Sequence, residues 1–258
     1  MPQRRIVDRA GPRATERVTA LCLLFLVSAL LSRFPLTAAA ATGLIGYWKL
    51  NETSGTTASD ASGNGRTGTL LNGPVWTTAG QRAGGLVFDG INDAVDLGNP
   101  VAFQLTGSLT VSAWIKSSAS PVDDAAIVSK RASTNAGFQL DTTIDKGPRT
   151  IGFKLSGSAG DFKRYGATPL ALNTWYHVAG VYDATARTLH VYLNGQLNDG
   201  TLVGTVPTAQ TTSTLNVQLG QRPGLPGTYN FAGTLDEVRL YPRALSQAEI
   251  QADMNAGP

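Results

Sequence analysis

One stretch limits the fold more than any other: Asn173 to Gln196, NTWYHVAGVYDATARTLHVYLNGQ. Trp175, His177, Ala179 and Val181 fall on alternate positions of one run, and Leu189, Val191 and Leu193 on alternate positions of the next. A period of two sets successive side chains on opposite faces of a pleated strand. The polar segment Asp183–Arg187 turns the chain back between the runs, and Asn194-Gly195 accepts the positive φ angles of a type I′ turn. The stretch reads as a β-hairpin entering a second turn. Its simplest register sets Tyr182 opposite Thr188, so His177 faces Leu193 and His190 faces Gly180. The two histidines then form no metal pair, and His177 is a packed strand residue.

The rest of the chain repeats the pattern in shorter pieces. Strands are predicted at Leu44–Leu50, Thr67–Leu71, Gly85–Phe88, Ala94–Leu97, Leu109–Ser117, Ala125–Ser129, Gly137–Thr143 and Thr150–Ser156. Past the hairpin they are predicted at Thr201–Val206, Thr214–Gly220 and Gly233–Tyr241. Many short strands divided by Gly, Asn, Asp and Pro, with hardly any helical period, indicate an all-β antiparallel sandwich or barrel. A parallel α/β fold has no room for its crossover helices. One helix is predicted at the end, where Ser246 as N-cap and Glu249 at the third helical position form a capping box.

The first forty residues are of another kind. Arg4, Arg5, Arg9, Arg13 and Arg17 precede the apolar run from Val18 to Leu31, and Thr37-Ala38-Ala39-Ala40-Ala41 follows. That order is the order of a secretory signal. Residues 1–41 are therefore expected to be removed on export, leaving 42–258 as one extracytoplasmic domain. The alternative is a retained anchor, but the apolar run of about fourteen residues falls short of the ~20 that span a bilayer. Six of the 21 basic and two of the 18 acidic residues lie in the first forty positions, so the exported part carries a net charge of about −1. Nothing there invites nucleic acid or a membrane surface. The single cysteine, Cys22, leaves with the leader, and packing alone must hold the domain.

Several motifs admit two readings. Asp60-Ala61-Ser62-Gly63-Asn64-Gly65 begins like a calcium loop, with oxygen side chains at alternate positions, yet position twelve is Leu71 where an EF-hand needs Glu. The same residues suit an Asx-rich turn that bonds its own backbone. In Leu235–Tyr241, alternation puts Leu235, Glu237, Arg239 and Tyr241 on one face and Asp236, Val238 and Leu240 on the other. An acidic group among apolar ones needs a partner, and Asp236 is expected to meet an arginine or a cation. No nucleophile elbow, zinc helix or phosphate loop occurs. Glu52, Glu237 and Glu249 are the only glutamates past the leader, without the alternate-position carboxylates a glycosidase strand would show. Asp141 and Asp145 share a face but would stand ~13 Å apart on an extended strand. The chain reads as non-catalytic.

Taken in order, Gly46-Tyr47-Trp48-Lys49-Leu50-Asn51-Glu52, Asp60 to Gly65, Phe88-Asp89-Gly90, Leu109 to Ile115, Trp175 to Ala179, Leu193-Asn194-Gly195 and Leu235 to Tyr241 resemble the laminin G-like jelly roll of the concanavalin A-like lectin/glucanase superfamily. The resemblance spans about residues 43–245. It implies two stacked antiparallel sheets and a structural calcium ion held at the rim by Asp236 with Asp60 and Asn64, the backbone near Asn51 being a further candidate. The catalytic Glu-x-Asp-x-x-Glu strand of the superfamily's glucanases is missing. A secreted module that binds glycan is the expectation, and an adhesive domain docking on other extracellular proteins is the alternative. Sugars are gripped by aromatic faces and a few polar groups. The candidates, expected in loops, are Arg164 and Tyr165, and Arg222 and Tyr229 in QRPGLPGTY.

Overall fold

The computed structural model describes residues 43–119, 122–131 and 136–257, so the leader expected over 1–41 lies outside the described residues. The alternating runs fold as strands: β1 (Gly46–Trp48), β2 (Thr57–Ala58), β3 (Gly68–Leu71), β4 (Val75–Arg82), β5 (Gly84–Asp89) and β6 (Ala94–Asp96). Next come β7 (Leu109–Ser117), β8 (Ala125–Ser129), β9 (Phe138–Thr143), β10 (Thr150–Gly157) and β11 (Gly160–Gly166). The hairpin supplies β12 (Tyr176–Asp183) and β13 (Thr188–Leu193), followed by β14 (Gln196–Leu197), β15 (Asp199–Val203), β16 (Gln218–Leu219), β17 (Ala232–Tyr241) and the helix α1 (Gln247–Asn255).

Two antiparallel sheets result. The first runs β14-β13-β12-β7-β17-β5-β4 with β1 paired onto β17, and the second runs β15-β11-β10-β9-β8-β16-β6-β3-β2. Alternation turns Ile151, Phe153 and Leu155 of β10, and Phe138 and Leu140 of β9, toward Val111, Ala113, Ile115, Val178 and Leu189 of the first sheet. Each such side chain taken from water contributes about 1.5–3 kcal/mol. Gly180 of β12 lets the sheets close: a Cβ there would stand 2.3 Å from the Phe153 ring.

The hairpin forms one residue out of the expected register, with Tyr182 paired to Leu189 and Asp183 to Thr188. Asp183 Oδ1 accepts N–H bonds from Thr185 (2.9 Å) and Ala186 (3.0 Å), and Arg187 turns at φ +56°. The loop thus closes over Ala184 to Arg187, shorter than the segment read from sequence. His190 faces Val181 instead of Gly180. His177 is buried, its ring 5.4 Å from that of Trp114. Asn194 (φ +51°) and Gly195 (φ +73°) join Leu193 to Gln196, the conformation of a type I′ turn.

In β17 the expected alternation breaks. Glu237 sits at φ +53° in a bulge between Asp236 and Arg239, and a bulge inserts one residue and inverts the parity beyond it. Leu235, Val238 and Leu240 all enter the core. Asp236 instead lies directly across from Trp114 of β7. The strands β4 and β11 fall where none was predicted, because VWTTAGQR and GDFKRYG lack a clean apolar alternation.

The helix α1 begins with the predicted box: Ser246 Oγ accepts from Glu249 N (3.3 Å) and Ser246 N donates to Glu249 Oε2 (2.9 Å). Ile250 packs on the outer side of the first sheet with Ala179, Val181, Tyr192, Tyr241 and Leu245. Beneath the helix, Asp253 gathers Ser112, Tyr241 and Arg239 in a buried polar layer.

Candidate functional site

The side of β9 and β10 that turns away from the core is polar. Gln139 and Asp141 alternate with Phe138 and Leu140, and Lys154 and Ser156 alternate with Phe153 and Leu155. Register aligns them across the sheet: Ser129 of β8, Gln139, Lys154 and Lys163 of β11 form one row. Asp141, Gly152 and Tyr165 form the next. Gly152 makes space in that row, since a Cβ there would lie 2.3 Å from Asp141 Oδ1.

Lys154 is the hub. Its ammonium, 1% exposed, contacts Asp124, Asp145 Oδ2 at 3.1 Å and Asp141 Oδ2 at 3.5 Å. Asp124 arrives from the turn before β8 and Asp145 from the turn after β9. The chain bends after Thr143, so Asp141 and Asp145 share one cation and are not held apart along an extended strand. Burial disfavours the charge of Lys154, yet Asp141 and Asp124 beside it raise its pKa above the ordinary lysine value. Burial pushes Asp141 up to about 7 against the pull of Lys154. For Asp145 burial is outweighed by the Tyr165 hydroxyl bond (2.7 Å) and Lys154, and its pKa is lowered.

The sequence candidates fall around this hub unequally. Tyr165 lies on β11, not in a loop, with its ring buried and Lys154 Nζ 5.5 Å from the ring centroid. Arg222 is buried, donates from Nε to Gln139 Oε1 (2.8 Å), stands 3.6 Å from Asp124 and stacks its guanidinium 3.7 Å from the Tyr229 ring centroid. Tyr229 is half-buried at the edge of this network. The fold therefore links Tyr165, Arg222 and Tyr229 through Lys154 and Asp124. Arg164, also on β11, is elsewhere: its guanidinium donates to the carbonyls of Leu189 (2.8 Å) and Gly200 (3.1 Å), tying strand to strand. Asp124, Gln139 and Lys154 were not singled out from sequence, and Asp141 was weighed only with Asp145 as a carboxylate pair; for Gln139, Asp141 and Lys154 the signal was polar residues at every second position of β9 and β10.

Asp123, Asp124 and Asp145 bring carboxylate oxygens within 4.8 Å of one another. Lys154 already neutralises two of them, and Asp123 Oδ1 accepts from Asp124 N, Thr143 Oγ1 and Ile144 N. The cluster is a clamp on an ammonium group.

The residues named for calcium are used in different ways. Asp60 Oδ1 accepts from Tyr47 N (3.1 Å) and Ser62 N (2.9 Å), and Oδ2 accepts from Arg66 N (2.9 Å). Asn64 donates to the carbonyls of Leu44 (2.9 Å) and Ile45 (3.2 Å). Both residues close the turn that buries Trp48. Among the described residues Asp236 meets no arginine side chain. Its Oδ2 accepts the backbone N–H of Gln81 (2.8 Å) and Arg82 (2.7 Å), while Oδ1 is buried without a donor. Burial, with the charge of Glu237, raises its pKa to about 6 against those two bonds. An oxygen of this kind suits a cation ligand.

Two face-packed antiparallel sheets, with a polar layer on the outer side of one, define a jelly-roll sandwich. The family model for the concanavalin A-like lectin/glucanases superfamily matches residues 89–251, and the chain belongs to that superfamily. Comparison with curated proteins gives no match. Among solved structures, domain 4 of AbnA, a GH43 extracellular arabinanase from Geobacillus stearothermophilus, in complex with arabinotriose, superposes with a TM-score of 0.62 at 19% identity, covering 83% of this chain and 98% of that one. The binding domain of Paraclostridial Mosquitocidal Protein 1 gives 0.63 at 14% identity, over 84% of this chain and 52% of that one. Trypanosoma rangeli sialidase gives 0.56 at 18% identity over 82% of this chain, which spans about a third (32%) of the sialidase.

Proposed function

We propose that this chain is a secreted, non-catalytic module that binds glycan on the outer face of its second sheet. The observation that carries the reading is half-buried Tyr229, held on the buried Arg222, with Asp124 and exposed Asp145 opening beside it at the edge of the buried Lys154 network. Sugar hydroxyls both donate and accept, and sugar rings present an apolar face, so the Tyr229 ring with the accessible carboxylates of Asp124 and Asp145 nearby matches them. The arabinotriose complex of the arabinanase domain supports the same reading. The non-catalytic part is supported by Lys154, which engages the carboxylates of Asp124, Asp141 and Asp145. Export rests on the leader composition; among the described residues no helix is long and apolar enough to cross a membrane. On a glycan array, the purified chain is expected to retain a subset of oligosaccharides, and Tyr229→Ala to weaken that binding at least tenfold. Silence across the array, or unchanged binding by the variant, would reject the site.

We also propose a structural calcium ion at Asp236, with Oδ1 as its ligand and the Asn51 segment beside it. Asp60 and Asn64 shape the neighbouring turn and have fewer free lone pairs to offer. Calcium here would neutralise a buried carboxylate and fix β17 to the turn after β4. Chelation is expected to lower the melting temperature by several degrees, and Asp236→Asn to abolish that response. Elemental analysis finding no calcium, with melting unmoved by chelator, would remove the ion from the account.

A further inference from the structure

A second cleft lies away from the Lys154 field, between the segment after β1 and the strand β4. Its volume is about 330 Å³, and Asn51, Glu52, Thr53, Trp76, Thr77 and Gly84 are among its walls. Trp76 is half-buried, and its Nε1 donates to the Gly55 carbonyl at 2.9 Å, which fixes the ring against the opposite wall. Glu52 Oε1 accepts from Ser59 N at 2.7 Å, while Oε2 is buried and has no donor. Asn51 Oδ1 accepts from Gly84 N at 2.9 Å and holds the floor. Two non-glycine residues beside the cleft, Leu50 (φ +57°) and Ala83 (φ +84°), adopt the left-handed region, a strain that gathers at ligand sites.

We infer that this cleft is a second glycan subsite and takes a single neutral sugar ring. The inference rests on the chain's being a glycan-binding module but assigns a place and a ligand class that the Lys154 field does not. A buried acceptor without a donor costs free energy until a hydroxyl supplies one, and Glu52 Oε2 is that acceptor. The indole of Trp76 supplies apolar surface for a ring face, and the threonine hydroxyls both donate and accept. The one charged side chain among the walls is an acid, so anionic sugars are excluded. The volume is at the lower end for small-molecule pockets, which limits the occupant to a single ring.

Isothermal titration of the full chain against arabinotriose, cellotriose, maltotriose and sialyllactose tests this. A neutral trisaccharide is expected to bind and sialyllactose to be refused by the cleft. Trp76→Ala and Glu52→Gln are each expected to weaken neutral-sugar binding at least tenfold in a Tyr229→Ala background, where the first site is disabled. Glu52→Gln keeps the shape of the side chain and should leave the melting temperature within a few degrees, which covers the case in which Trp76→Ala fails to fold. If Tyr229→Ala alone abolishes all binding, the cleft is not a subsite although the glycan reading stands. If Glu52→Gln leaves the affinity unchanged, the cleft assignment falls. If no sugar binds the unaltered chain, both readings fall together.

Discussion

Replacing Lys154 with methionine is expected to cost about 3–5 kcal/mol, the range for breaking a buried charge cluster by removing one partner. The ammonium contacts Asp124, Asp141 and Asp145, and Asp141 is without exposure. Methionine fills the space but leaves those carboxylates facing one another. The loss must depend on pH in a fixed direction. Burial already places the Asp141 pKa at about 7, above its unfolded value of 3.8, with Lys154 present and pulling it down. A raised carboxylate pKa means that the folded state holds a proton the unfolded state releases, so stability falls as pH rises through that window. Without Lys154 the Asp141 carboxyl rises further. The deficit of the variant should therefore be largest at pH 8 and smaller at pH 5, read from urea unfolding at each. Adding Asp141→Asn should restore part of the loss at pH 8. An equal deficit at both pH values, or one under about 1 kcal/mol, the level of an ordinary surface change, would show that Lys154 is not the hub.

The same cluster shows what a sequence reveals and what it withholds. Period-two alternation fixed the strands whose inner faces are apolar, and Leu109–Ser117 and Ala125–Ser129 fall where predicted. Strand β11 escaped because Asp161, Lys163 and Arg164 hide a pattern in which Phe162 alone is a strong core residue. The hairpin register slipped because Arg187 takes a positive φ that nothing in its identity announces. Asp236 was placed among core residues because a bulge at Glu237 cannot be counted from alternation. In the site, Arg222 and Tyr229 were legible as an aromatic and a cation in a Gly/Pro loop. Asp124 and Asp145 come from turns about twenty residues apart, and only the pairing of β8, β9 and β10 brings them onto one ammonium. Convergence of this kind is a property of topology.

Asp253→Ala is expected to be comparably severe, about 3–5 kcal/mol by the same argument, with the damage concentrated at the C-terminal helix. Asp253 is 1% exposed. Ser112 Oγ and the Tyr241 hydroxyl each donate to its carboxylate at 2.5 Å. Arg239 Nη1 stands 3.5 Å from Oδ1 and His177 Nε2 3.6 Å from Oδ2. Alanine strands two hydroxyls and leaves Arg239 to Glu237, Tyr47 and the backbone carbonyl of residue 253. Amide hydrogens of α1 should then exchange through local opening, well before the strands, whereas Asp253→Asn, keeping one acceptor oxygen, should lose less. The pH profile gives an independent reading. Burial lowers the His177 pKa below 6.5, so the unfolded chain binds the extra proton first and stability declines as pH falls below about 6.5. Burial would raise Asp253, but His177, Arg239 and Ser112 outweigh it and hold its pKa below 3.8. The contribution of Asp253 is therefore intact above that value and lost as pH falls through the depressed pKa. The decline below pH 6.5 should persist in Asp253→Ala, and its deficit against the unaltered chain should narrow only in stronger acid. Helix amides that stay protected in Asp253→Ala, or a deficit that closes already near pH 6, would mean that α1 is held by Ile250 and its apolar neighbours and not by the buried carboxylate.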